Sequence, residues 1–148
     1  MRSRKLPFLT IGIAMLLMLW PQQGMSDDGK ISIELNRVSE VKDACRMSFV
    51  FTNGLEVPVE TLLIETVLFN KEQSVERFLV LKSRPLSPRK IRVQQFDVRG
   101  VACGRLGKLL LNDIKDCKTG DLTAAGCLEK IVPSSRTDVP FISTAASN

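Results

Sequence analysis

Apolar and polar residues alternate in short stretches separated by turn formers, the pattern of an all-β sandwich rather than of long helices. Ile31-Ser-Ile-Glu-Leu35 alternates strictly and predicts a first strand. In a second strand, Cys45, Met47, Phe49 and Phe51 share one face and Arg46, Ser48 and Thr52 the other. Asn53-Gly54 ends it, because both residues tolerate positive φ. Residues 61–69 are rich in β-branched and aromatic side chains, which favours a third strand over a helix. Asn70-Lys-Glu-Gln73 then turns the chain into a fourth strand over 75–81, and Pro85-Leu-Ser-Pro88 marks a loop. The next extended stretch, 90–98, changes phase: Ile91 and Val93 fall on one parity, Phe96 and Val98 on the other. A bulge near Gln94-Gln95 would return both pairs to the core.

Leu109-Leu-Leu111 predicts a short buried strand. Beyond it the period changes to that of a helix. Ala124, Cys127, Leu128 and Ile131 stand at i, i+3, i+4 and i+7, so 121–132 is expected to be helical with Asp121 as its cap, although Gly126 weakens it. Residues 133–141 read as an extended tail in which Val139 and Phe141 dock across the sandwich and Arg136 pairs with Asp138. Residues 143–148 are expected to be disordered. The reading is an antiparallel β-sandwich of six or seven strands with a short C-terminal helix, occupying 27–142 as a single domain.

The head of the chain has a different character. Met1-Arg-Ser-Arg-Lys5 is basic, residues 6–20 are uncharged and apolar, and Pro21-Gln-Gln-Gly24-Met-Ser26 supplies small residues one apart. That succession describes a secretory signal peptide, with cleavage expected after Ser26. As a helix the apolar run would reach about 22 Å at about 1.5 Å per residue, short of a hydrocarbon core of about 30 Å. Export leaves no membrane span in the processed protein and implies a periplasmic location. Arg2 and Arg4 are not adjacent, which favours the general secretory route over a twin-arginine one. Removing residues 1–26 from 148 leaves 122, enough for one sizeable core. The same removal takes three of 21 basic residues and no acidic one, so +5 becomes +2, and net charge gives no argument for nucleic acid.

Export gives the four cysteines a physical meaning, since disulfides persist in oxidising compartments. Their spacing, C-x57-C-x13-C-x9-C, contains neither the close pairs of a zinc site nor a redox C-x-x-C. Two structural bridges are expected. Cys117–Cys127 is favoured because Cys127 lies on the apolar side of the helix and only nine residues intervene. Cys45–Cys103 then follows, while Cys45–Cys127 with Cys103–Cys117 stays open as an alternative.

The chain lacks histidine, so no Ser-His or Cys-His nucleophile is available. The carboxylates Glu34, Glu65 and Asp97 fall on separate strands, and Asp113 and Asp116 in a loop. Gly100, Gly104 and Gly107 lie in a turn without the strand-to-helix context of a phosphate cradle. No catalytic residue, metal ligand or cofactor is assigned. The distinctive charge feature is the absence of any acid between Arg77 and Asp97. Lys82, Arg84, Arg89, Lys90 and Arg92 form a cationic run that could take an envelope protein or an anionic envelope component; equally, such cations guard strand edges against pairing. No exposed aromatic interleaves with them, which leaves base stacking unsupported.

With these elements placed, the chain resembles a bacterial family of small exported proteins of unknown function labelled "Tat pathway signal sequence domain protein". The resemblance rests on Ile31-Ser-Ile-Glu-Leu-Asn36, Ala44-Cys45, Leu68-Phe-Asn70, Phe96-Asp97, Gly100-Val-Ala-Cys103, Leu111-Asn-Asp-Ile114, Ser134-Ser-Arg136 and Asp138-Val-Pro-Phe141. It spans roughly residues 30–142. The chain also looks like the wider group of immunoglobulin-like periplasmic β-sandwiches, so the resemblance implies export and an immunoglobulin-like antiparallel β-sandwich, with no activity. The expected function is a non-catalytic exported binding or accessory module of the cell envelope. Its rivals are an exported inhibitor of a hydrolase, with residues 83–89 as its plug, and a sheet-edge chaperone or structural envelope protein.

Overall fold

The alternation at residues 31–35 extends into an eleven-residue strand, β1 (Ile31–Val41), in which Ile31, Ile33 and Leu35 are fully buried. A register shift between Leu35 and Arg37 then ends the clean period. A computed structural model describes residues 29–144; the expected signal peptide, its cleavage point and residues 145–148 lie outside the described residues. The strands that follow are β2 (Ala44–Asn53), β3 (Thr61–Asn70), β4 (Val75–Lys82), β5 (Ile91–Arg99) and β6 (Leu106–Lys118). A helix, α1 (Ala124–Lys130), leads into β7 (Ile131–Ser135) and β8 (Phe141–Ser143). One sheet has the order β5-β2-β1-β7 and the other β4-β3-β6-β8. Their inner faces share one core, an all-β sandwich as the alternation predicts. No helix among the described residues is long and apolar enough to cross a membrane.

The predicted inner face of β2 holds throughout, with Cys45, Met47, Phe49 and Phe51 inaccessible to solvent. Phe49 sits at its centre and meets Phe96 and Phe141 edge to face, at 5.9 and 5.6 Å between centroids. Both favoured disulfides are present. Cys45–Cys103 ties β2 to a 3-10 turn before β6, and Cys117–Cys127 ties β6 to α1. By loop-closure entropy they contribute about 4 and about 3 kcal/mol.

Several expectations are corrected. The strands number eight among the described residues, because residues 131–143 do not trail off but pair in parallel with β1 and then with β6. Val139 and Phe141 do dock, whereas Arg136 pairs with Glu34 of β1, at 3.0 Å, and not with Asp138. Order also runs past residue 142: the Thr144 N–H donates to the Leu111 carbonyl at 3.1 Å. The expected short strand at 109–111 is thirteen residues long. Three register shifts against β3 put its buried positions at Leu106, Leu109, Leu111 and Ile114, which hides the period of two. Asp113 and Asp116 therefore belong to β6 and not to a loop. Gly107 is likewise a strand residue: a Cβ there would lie 2.2 Å from the Asn70 carbonyl oxygen.

The helix is seven residues and not twelve, capped by Thr123, whose hydroxyl accepts from the Gly126 N–H at 3.2 Å, rather than by Asp121. Ile131, read as the last helical contact, instead starts β7. The helical period fits four positions, but β1 offers Ile131 an unpaired edge, and burial in the sheet wins. Asn53-Gly54 also has another role, since neither residue adopts positive φ. The Asn53 side chain is fully buried, donates to the carbonyls of Val57 (2.9 Å), Leu86 (3.1 Å) and Ser87 (3.2 Å), and accepts from the Leu55 N–H at 3.0 Å. It ties the β2–β3 connection to the β4–β5 connection.

Candidate binding surface

The cationic run lies on the crossover from the end of β4 to β5, which carries the chain from one sheet to the other. The connection is held down by Leu86, fully buried, whose N–H and C=O both bond to Val59 at 2.9 Å. Around this anchor Lys82, Arg84, Arg89 and Lys90 are exposed, and Arg92, on β5, is half-buried. Arg89 forms an ion pair with Glu56. Among the described residues Lys82, Arg84, Lys90 and Arg92 have no acidic partner; the charges of Lys82, Arg84 and Lys90 face solvent, and Arg92 stands on the inner face of β5.

β4 and β5 are the edge strands of the two sheets and border the same side of the sandwich. Two polar side chains span the gap. Gln94 of β5 accepts from the Arg84 N–H at 2.7 Å and donates to the Lys82 carbonyl at 3.2 Å. Arg77 of β4 donates to the Arg99 carbonyl at 2.7 Å. These bridges engage the backbone of Lys82, Arg84 and Arg99 and not that of Val93, Gln95 or Asp97.

The expected bulge at Gln94-Gln95 is absent, because β5 pairs with β2 in one unbroken register from Thr52–Ile91 to Ala44–Arg99. The inner face of β5 is Arg92, Gln94, Phe96 and Val98, and the phase change means that Ile91 and Val93 point out, 61% and 63% exposed. On β4, Phe78 and Val80 are comparably exposed on the outer face of the other sheet. Ile91 and Val93 were expected in the core by way of the bulge, whereas Phe78 and Val80 were assigned no face. The phase change is the signal that marked Ile91 and Val93; nothing in the alternation marked Phe78 and Val80.

The sequence-nominated carboxylates do not converge. Glu34 and Asp97 lie on the outer face of one sheet and Glu65 on that of the other, each with its own partner. Asp97 accepts two bonds from the Arg46 guanidinium, at 2.7 and 2.8 Å, which lowers its pKa and raises that of Arg46. Glu65 is lowered by its bonds to Lys115 (2.8 Å) and Asn112 (2.7 Å). Glu34 is lowered by Asn36 and, less, by Arg136. Such pairs are those of ordinary strand surfaces. No group of three His, Cys, Asp or Glu side chains among the described residues could hold a metal. An open cleft of about 450 Å³ lies beside the Cys117–Cys127 bridge, lined by Val57, Glu60, Thr119 and Leu122 among others; it contains none of the cationic run.

Comparison with known proteins finds no matching family model, no matching curated protein and no matching solved structure.

Proposed function

We propose that the protein is an exported, periplasmic, non-catalytic binding or accessory module of the cell envelope, processed after Ser26. The observation that carries this reading is the cationic crossover, in which Lys82, Arg84 and Lys90 lack an acidic partner among the described residues, at the shared edge of a disulfide-bonded sandwich. Two bridges suit an oxidising compartment. A charged surface raised on a rigid, bridged body suits recognition. The order β5-β2-β1 against β4-β3-β6 follows the E-B-A and C′-C-F order of immunoglobulin-type sandwiches, which supports an immunoglobulin-like origin. The parallel β7 and β8 depart from that plan. The same reading keeps the chain with the small exported proteins it resembles.

The test is fractionation of cells producing the protein, intact mass with and without reductant, and crosslinking of the processed form. The expected result is a species shortened by residues 1–26, lighter by four hydrogens than its reduced form, and joined to a defined envelope component. A full-length cytosolic protein with four free thiols would end the proposal.

A further inference from the structure

The apolar and the cationic features of the β4–β5 side meet on one strand. Two backbone bonds bracket β5: Asn53 N–H to the Lys90 carbonyl, and Gly100 N–H to the Asp43 carbonyl, each 2.9 Å. They fix the phase of the ladder. Arg92, Gln94, Phe96 and Val98 turn their backbone groups toward β2, while Ile91, Val93, Gln95 and Asp97 turn theirs to the open edge. The residues with outward backbone groups include Ile91 and Val93, whose side chains are exposed and adjoin Val50 on β2. On the inner side of the same edge stands Arg92. Its Nε is buried without a hydrogen-bond partner among the described residues, an arrangement that is costly for a polar group unless it is satisfied.

We propose that the β5 edge takes an extended, acidic segment of another protein by strand addition. This rests on the binding-module reading above and names the partner's chemistry. The segment's backbone pairs with Val93, Gln95 and Asp97. Its apolar side chains lie beside Ile91 and Val93 on the outer face, and its alternate carboxylates face Arg92 on the inner side. Charge selects the partner. Arg77, Lys82, Arg84, Lys90, Arg92 and Arg99 surround this edge, and the one acid on it, Asp97, is already engaged by Arg46. A second copy of the chain would bring two such clusters together, which like-charge repulsion opposes. A flat lipid surface could not meet the exposed apolar residues at once, because Phe78 and Val80 point from one sheet's outer face and Ile91 and Val93 from the other's.

The experiment uses the disulfide-bonded protein and a short peptide of alternating glutamate and valine. Controls are a lysine–valine peptide, the glutamate peptide interrupted by proline, and vesicles of phosphatidylglycerol with phosphatidylethanolamine. The glutamate peptide is expected to bind at least about tenfold more tightly than either control peptide, weakening with salt and slowing amide exchange at Val93 and Gln95. Val93→Pro removes an edge N–H that β2 does not use, so it should abolish peptide binding while leaving the melting temperature close to wild type. Arg92→Gln should cost about tenfold in affinity. Equal binding of the lysine peptide, protection elsewhere than on β5, tighter binding to vesicles than to peptide, or self-association through β5 that excludes the peptide would each overturn the proposal. Because the assay uses purified protein, its failure leaves the export and envelope-partner reading to its own experiment.

Discussion

The two open sides of this sandwich are closed by opposite chemistry. On one, a single segment crosses between the sheets, adding β7 to β1 and β8 to β6, and seals the gap with Ile131, Val139 and Phe141, all buried. On the other, β4 and β5 meet through two polar bridges, Gln94 and Arg77, with arginine and lysine around them. A sandwich needs its sides closed only as far as its core must exclude water. The apolar closure spends the edge backbone groups of β1 and β6 on pairing. The polar closure leaves those of β5 available, and edge groups of that kind are the usual hazard of β proteins and also their usual means of adding a partner strand.

Breaking the apolar closure should have the largest effect. Phe141→Ala removes a ring packed edge to face on Phe49 and should cost about 4 kcal/mol in denaturant unfolding. A loss below about 1 kcal/mol would show that β8 contributes little to the seal. Next comes the bridge that holds α1, and so the start of β7, to β6. Replacing Cys117 and Cys127 together by alanine should cost about 3 kcal/mol and raise amide exchange first in β7. Uniform loss of protection across both sheets would contradict that localisation.

The polar closure should be cheap to remove. Gln94→Ala deletes two exposed hydrogen bonds and should cost about 1 kcal/mol, while increasing exchange at the end of β4. An effect as large as that of Phe141→Ala would erase the distinction between the two sides. Smallest of all is the acid response. The pKa values of Glu34, on the sealed side, and Asp97, on the open side, are lowered by hydrogen bonds, Glu34's chiefly from Asn36 and Asp97's from Arg46. Their contribution is therefore complete at neutral pH and fades as pH falls through their lowered values. Both are exposed ion pairs, so the loss should be small. Asp97→Asn and Glu34→Gln should each flatten the acid limb of the stability–pH curve slightly, and an unchanged limb in both would assign acid sensitivity elsewhere.

The sequence is most legible where alternation is unbroken. β2 and the start of β1 could be read residue by residue, and the inward face of Cys45 and the apolar side of Cys127 favoured the disulfide pairing that the structure has, with one alternative left open. β6 was hidden because its register shifts convert a period of two into an irregular spacing, and no local rule says where a neighbouring strand will demand a bulge. β7 was hidden for another reason. Ile131 fits a helix as well as a strand, and only the vacant edge of β1, distant in sequence, decides between them. At the candidate surface the cations were legible as a run without acids, but their relation to the edges was not. Ile91 and Val93 looked like core residues displaced by a bulge, because sequence alone cannot show that Arg92 and Gln94 occupy the inward positions.

The contrast between the sides is tested most directly in living cells by placing a photo-crosslinking residue at Val93, on the polar side, or at Val132, exposed on β7 of the apolar side. The account predicts a discrete crosslinked species from position 93 that vanishes when Arg92 is changed to glutamate, and none from position 132. Equal products from both positions, or a product from 132 alone, would contradict it.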